Sequence, residues 1–384
     1  MKMIFDYAIV GAGCSGLTLA SLMASEAPPN ARIALVDLRT TYDMDRVWCY
    51  WNVFRHPFLD AVTHAWQRWK IRHRGREVVL TTNRYPYHFV PADAFYKMAF
   101  EKISHHGGIE LHLGKAVEGF EVENGQVRIK TDSDDLIARQ VFDGRLLADG
   151  LTGWQCLLQH YGGQIIEADR PIFDPETITL MDFDIPQKEG VAFVYVLPFS
   201  ATRALIEPTF FSYRPLAPND YRAYIRSYLL DRYQTSDYTV EFEEKGIIPM
   251  QSRVPNGHPS SRVHRIGTPA GMVKGSTGYG FLAIQKWTPM LLRRHLGHSH
   301  LEPQPPRSEF SRRLDAIFLA YIEQHPQQAP EMFFNLFARV QSDALVRFLS
   351  DIATPADTAA VIRAMPKWPF LKKAVELLMN RDNI

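Results

Sequence analysis

Cysteine is scarce in this chain: Cys14, Cys49 and Cys156 are the three among 384 residues. An odd number of widely spaced cysteines supplies neither a disulfide framework nor a zinc spacing, and a reducing cytoplasm is the expected compartment. An excess of one charge is missing too. The 43 Lys and Arg nearly balance 42 Asp and Glu, for a net charge of +1. No global field steers such a chain to nucleic acid, and no nucleic-acid partner is expected. Long apolar runs are absent as well. VAFVYVLPF (191–199) and AIFLAYI (316–322) fall far short of the roughly 20 residues that span a bilayer. No signal peptide is expected in the N-terminal MKMIFDYAIVGAG, because Asp6 breaks its apolar run, which then enters a glycine motif. The histidines at 105–106 and in HLGHSH (295–300) lack the accompanying carboxylates and regular offsets of a metal site, so they are read as surface residues and no metal is expected. No internal repeat or low-complexity segment is visible.

What the chain does contain begins at residue 5. FDYAIV (5–10) reads as a buried parallel strand. GAGCSG follows, with Gly11, Gly13 and Gly16 in G-x-G-x-x-G spacing, then the helical LTLASLMASEA, then a second buried strand, IALVDL (33–38). Asp37 stands near the end of that strand, 21 residues after Gly16. Gly11 permits a tight turn, Gly13 lets backbone approach a pyrophosphate, and Gly16 lets helix and strand pack closely. Cys14 and Ser15 lie at the helix N-terminus, whose free N–H groups favour phosphate. Asp37 can accept hydrogen bonds from ribose hydroxyls. The glycines alone are weak evidence; strand, glycines, helix, strand and acid together are a dinucleotide signature.

A second glycine cluster, IGTPAGMVKGSTGYGF (266–281), favours FAD over NAD, its other reading being a surface loop. A nucleotide site at the extreme N-terminus with a later glycine cluster is the usual flavoprotein order. Gly271, Met272, Gly278 and Tyr279 are the candidates there for backbone approach to a flat ring. Between the clusters, residues 86–114 read as loop, helix and strand, and 116–145 as a β-meander with an Asn-Gly turn. From about 160 to 250 the chain is strand-rich, with a hairpin over 191–211. The last hundred residues are helical, punctuated by prolines. The expected fold is α/β: a glutathione-reductase-type FAD-binding Rossmann domain (1–160 and 262–300), an inserted antiparallel β-sheet substrate domain (161–261) and a helical C-terminal region (301–384).

One carboxylate interrupts the second hairpin strand, RALIEPTFF (203–211). Glu207 is either a solvated strand residue or an acid held in an apolar site, where burial raises a carboxyl pKa. Leu205, Ile206 and Phe210 flank it in sequence and are candidates for that environment. Pro208 removes a backbone donor, which suggests a strand edge or end. Asp143 in VFDGR is either a turn acid or a neighbour of the cofactor, and Arg145 is read as its structural partner. The basic WQRWKIRHRGR (66–76) reads as a solvated strand face in preference to a phosphate or lipid site.

These motifs resemble the bacterial lycopene β-cyclase family. The resemblance rests on DYAIVGAGCSGLTLA, VFDGR, FVYVLPFSATRALIEPTFF, EKGIIPM, GMVKGSTGYGF and the C-terminal MFFNLFARV and ALVRFLSD. It implies a redox-neutral cyclisation of a lipophilic polyene in carotenoid biosynthesis, with FAD active in its reduced form and NAD(P)H as the reductant. The family's acid/base candidate maps onto Glu207. The family usually keeps an acid at the next position, where this chain has Pro208, and in DRVWCYW (45–51) only Trp48 is in the family's register. An almost insoluble polyene also implies peripheral contact with a membrane. The aromatic C-terminal segments 332–351 and 368–379 offer either core packing or a lipid-facing entry. The alternatives are a flavin monooxygenase or dehydrogenase of the same fold, and a non-catalytic flavin- or lipid-binding protein.

Overall fold

The computed structural model describes residues 3–146, 156–251, 260–297, 307–367, 370 and 376. In chain order, β1 (Ile4–Val10), α1 (Cys14–Glu26) and β2 (Ile33–Asp37) lead to β3 (Val47–Trp51), β4 (His64–Trp66), β5 (Arg68–His73), β6 (Arg76–Thr81) and β7 (Tyr87–Pro91). Next come α2 (Ala92–Ser104), β8 (Ile109–Leu113), β9 (Val117–Glu123), β10 (Gln126–Thr131), β11 (Leu136–Asp143), β12 (Leu158–Ala168), β13 (Thr177–Asp182), β14 (Val191–Pro198) and β15 (Arg203–Ser212). They are followed by α3 (Pro218–Tyr233), β16 (Tyr238–Pro249), β17 (Val263–Arg265) and α4 (Phe281–His295). The C-terminal helices are α5 (Glu309–Gln324), α6 (Ala329–Arg339), α7 (Ser342–Leu349) and α8 (Pro355–Ala364).

The first sheet runs β8-β2-β1-β11-β10-β9, with β17 also on β11. Strands β8, β2, β1, β11 and β17 are parallel, and β9–β10 form the antiparallel meander. The β1-α1-β2 unit has a helix whose residues Ser15 to Met23 are all buried. Such a helix is covered on every side, here by α2 and α4 as well as by β1. This is the α/β nucleotide-binding architecture expected from the glycine spacing.

The second sheet runs β16-β12-β15-β14-β13-β5-β6. It draws β5 and β6 from the N-terminal part of the chain, so the division of the chain into sheets does not follow residue order. The basic stretch at 66–76 is here. Trp69 and Ile71 are buried, while Lys70 and Arg72 reach Glu77 at 3.7 and 2.8 Å. A small sheet, β3-β7-β4, carries Trp48, Cys49 and Trp51 on β3. α6 and α7 pack their aromatic faces into the core beside this second sheet. Residues 332–351 thus contribute core packing; of 368–379, all but 370 and 376 lie outside the described residues. Among the described residues no helix is long and apolar enough to cross a membrane, and none of the His, Cys, Asp and Glu groups could hold a metal ion.

Candidate active site

Glu207 sits on β15, which is an interior strand between β12 and β14. The proline beside it therefore does not mark an edge. Pro208 pairs in register with Val194 of β14, while the ladder to β12 is interrupted between Tyr161↔Thr209 and Gln164↔Ile206. Pro208 has no N–H to give to a ladder, and Gly162 and Gly163 of β12 lie in the gap.

Strand alternation also corrects the expected surroundings of Glu207. Leu205 shares its face, but Ile206 and Phe210 point to the opposite side. There Ile206 packs with Val196, Ile225 and Tyr228, and Phe210 packs with Tyr221 of α3. A side chain at 208 likewise faces away from Glu207. The groups around the carboxyl come instead from neighbouring strands. Tyr195 of β14 is its register partner, and the Thr209 hydroxyl donates to Oε1 at 3.3 Å.

A second carboxyl, Glu244 of β16, shares this face. Gly163 is its register partner on β12. A Cβ placed on Gly163 would lie 3.3 Å from Glu207 Oε2 and 3.3 Å from Glu244 Cγ. The missing side chain is what lets two acids approach across three strands. Both are buried, Glu207 at 9% and Glu244 at 7% exposure. Burial pushes the Glu207 carboxyl up to about 8, against the opposing Thr209 hydrogen bond. Burial and then the nearby Glu207 charge push Glu244 well above the carboxylate range. Burial thus favours the protonated form of Glu207 at neutral pH. Sequence reasoning missed Glu244; it lies in EKGIIPM, quoted for its family resemblance and not for its acid.

Glu207 faces a cavity of about 1310 Å³. Tyr161, Tyr195 and Cys49, which bear on Glu207, line the cavity, as do Tyr87, Tyr279 and, packed against Phe281, Trp48. Tyr195 Oη donates to Tyr87 Oη at 2.8 Å, and Tyr279 Oη lies 3.5 Å from the latter. Trp51 stands edge-on to both Tyr87 and Tyr279. Burial raises the phenols and the Cys49 thiol, keeping this wall neutral.

The cavity continues to the glycine turn before α1, where Gly13, Cys14, Ser15, Gly144, Gly267 and Thr268 line it. The fit to a dinucleotide is testable on this backbone. Helix α1 has no side-chain cap on its N-terminus and no acid in its first turn, so its amides are available to an anion. A Cβ on Gly13 would meet nothing within 4 Å, whereas one on Gly16 would lie 1.9 Å from the Gly11 carbonyl oxygen. The first glycine faces open space and the second is locked against the turn, with Gly11 at φ 93°. Asp37 is buried, and accepts from the amides of Ala12 at 2.5 Å and Arg39 at 2.8 Å. These features suit FAD.

The second glycine cluster divides. Gly278 and Tyr279 line the cavity. Gly271 donates its N–H to Thr268 O within a short 3₁₀ turn. Met272 is fully buried in the core, and its N–H goes to Gly267 O. Beneath this loop Lys274 binds Asp351 at 2.8 Å, while Ser276 donates to Asp315 at 2.7 Å. Arg307 bridges the same two acids. This buried charge cluster ties the loop to the C-terminal helices. Asp143 accepts from Arg145 at 2.8 Å, the pairing expected from sequence. Two histidines depart from the surface reading. His106 is buried, with its ring 3.3 Å from Pro28 O, and His295, driven down to about 4 by burial, packs on Phe142 and His264.

The family model for "Lycopene cyclase protein" matches residues 6–375. The chain belongs to the lycopene cyclase family. A lycopene beta-cyclase from Pantoea ananas is 23% identical over 400 residues, covering 99% of both chains. Among solved structures, a flavoprotein/dehydrogenase from Cytophaga hutchinsonii superposes with a TM-score of 0.62 at 13% identity, over 99% of this chain and 100% of that one. The halogenase PltM in complex with phloroglucinol and FAD superposes at 0.58 with 11% identity, over 98% and 96%. At such identities the structural likeness establishes the fold: this cyclase-family chain is built on a flavoprotein framework.

Proposed function

We propose that this member of the family cyclises an end group of lycopene, or a closely related polyene, to a β-ring without net oxidation, with FAD bound and kept reduced by NAD(P)H. The observation that carries the reading is a buried carboxyl, biased by burial towards its protonated form, facing an aromatic cavity that is continuous with the glycine turn before α1. Gly11, Gly13, Cys14, Ser15, Gly16 and Asp37 form the adenine-dinucleotide end of the site, with Gly271, Met272, Gly278 and Tyr279 shaping the loop at the ring end. Reduced FAD supplies a negative ring that favours a nearby cation.

Glu207 transfers its proton to the inner, less substituted carbon of the terminal alkene, whose π pair forms the new C–H bond and leaves the cation on the dimethyl-bearing carbon. The tertiary carbocation is attacked by the neighbouring double bond, closing a six-membered ring. Tyr195, Tyr161 and Tyr87 offer π-faces to the cation. Loss of a ring proton to the Glu207 carboxylate forms the product alkene and restores the acid. Expression in cells that accumulate lycopene, followed by pigment chromatography, tests the reading. Monocyclic or bicyclic carotene is expected; an unchanged profile, or product formed in step with oxygen consumption, rejects it. Turnover should fall as pH rises through about 8, where Glu207 loses its proton, because only the protonated form can donate. A rate that rises across that range would exclude Glu207 as the acid.

We further propose that the three parts of the chain divide the work: the first sheet holds FAD, the second shapes the substrate cavity, and the C-terminal helices admit the polyene. Ile362 of α8 lines the cavity yet is 53% exposed, and on α5 Phe310, 59% exposed, lies one turn before the cavity residue Leu314. Lys367, five residues after Ile362, also lines the cavity. This is the composition of a helix pair that docks on a membrane. Replacing both Phe310 and Ile362 with Asp should lower flotation with anionic vesicles at least about threefold, by removing apolar insertion. Undiminished flotation would place the entry elsewhere.

A further inference from the structure

Glu244 does not line the cavity, whereas Glu207 does. It lies behind Glu207, across the space left by Gly163. Its Oε2 accepts from the Val47 amide at 3.2 Å, and its Oε1 is buried with no partner. Arg46 is the positive charge that bears on it, but Arg46 is paired with Asp45 at 2.9 Å. The other groups facing the two acids are Tyr161 of β12, Tyr195 of β14, Thr209 of β15 and Cys49 of β3. None of these is a cation. A carboxylate buried here would leave one charged oxygen without compensation, which is costly. A carboxylic acid instead places an O–H there, free to be donated.

We propose that Glu244 is a positioning residue for the reaction given under Proposed function, on which this inference rests: it stays protonated behind Glu207 and donates its O–H, across Gly163, to the Glu207 carboxylate that forms when the alkene takes the proton. Glu244 keeps its own proton throughout. One proton leaves Glu207 and one returns to it from the ring, so the pair ends as it began. The hydrogen bond is strongest when Glu207 is charged, so it stabilises the state after proton transfer more than the state before. This also gives the interrupted ladder and the glycine at 163 a purpose. They open a row in which one acid can reach the other, on the face that a side chain at 208 cannot reach.

The test uses the FAD-loaded protein and two substitutions. Glu244→Gln retains donors and cannot ionise; Glu244→Leu retains bulk and has no donor. With Glu244→Leu, kcat should fall at least about tenfold, and the alkaline limb of the pH–rate profile should move up by about one unit, because Glu207 becomes a weaker acid. With Glu244→Gln the loss should be several-fold and the limb should stay near its original position. A limb that stays put in the Leu variant, as a purely structural role predicts, overturns the proposal. So does a limb moved to lower pH, as expected if Glu244 were an anion at rest. Infrared spectra without substrate give a second readout should the Leu variant fail to hold FAD. A protonated-carboxyl C=O band at about neutral pH should be present in wild type, reduced to the Glu207 component in Glu244→Gln and to the Glu244 component in Glu207→Gln, and absent in the double variant. Its absence from Glu207→Gln rejects the protonated state of Glu244 outright. The band does not require turnover, so a protein that leaves lycopene unchanged would fail as a cyclase while the acid pair was still tested.

Discussion

Glu207→Gln should abolish cyclisation while FAD remains bound. The amide occupies nearly the same volume and can still accept from Thr209 Oγ1, so packing on β15 is preserved. What it loses is a transferable proton. General acids of this type contribute roughly 10²–10⁴-fold. Here the other groups lining the cavity beside it, Tyr161, Tyr195 and Tyr87, are phenols that burial makes still weaker acids, so the upper end of that range is expected. The flavin content should stay at the wild-type ratio, because the nucleotide turn is built on another sheet. Replacement should also raise stability at alkaline pH. Glu207 binds its proton more tightly folded than unfolded, so the wild-type contribution is full below the unfolded pKa. It is lost as pH rises towards about 8, a dependence the amide does not share. Measured pigment conversion, flavin absorbance and melting at two pH values check all three parts. Full conversion by the variant would remove Glu207 from the mechanism.

The reach and limits of the sequence follow from which contacts are local. The β1-α1-β2 unit was legible because strand, glycines, helix and acid occupy one short stretch. Glu207 was legible as an odd acid on an apolar strand. Its environment was not, because side chains two apart share a face and side chains one apart do not. Ile206 and Phe210 are its neighbours in sequence and lie on the wrong side, while Tyr161 and Glu244 lie far along the chain and on the right side. Pro208 suggested an edge because ladder satisfaction is normally demanded of interior strands. The actual solution is a local break opposite Gly162 and Gly163, which only the pairing of β12 with β15 reveals. The same non-local pairing draws β5 and β6 into the second sheet.

Gly16→Ala should remove FAD binding and lower stability together. The added methyl carbon would lie 1.9 Å from the Gly11 carbonyl oxygen and 3.3 Å from Ile9 Cγ2. Neither is the free end of a flexible side chain: one is backbone of the turn, the other a β-branched core residue on β1. Relief requires α1 to lift from β1, yet α1 is buried along most of its length and packs on α2 and α4 as well. Overpacking of this kind costs about 1–3 kcal/mol where the surroundings yield, and a rigid backbone neighbour puts this site at the upper end. The functional loss should be larger than the loss in stability. Moving the helix by even a fraction of an ångström displaces the first-turn amides that line the cavity beside Gly13 and Ser15, and an anion held by several amides depends on all of them converging. The expected outcome is a folded protein that melts several degrees lower and is purified without yellow colour. Gly13→Ala provides the contrast. A Cβ there meets no protein atom, so the empty protein should retain wild-type stability while flavin binding weakens by direct obstruction. If both variants kept stoichiometric FAD, the turn would not be the cofactor's phosphate site, and the cavity's continuity with it would need another explanation.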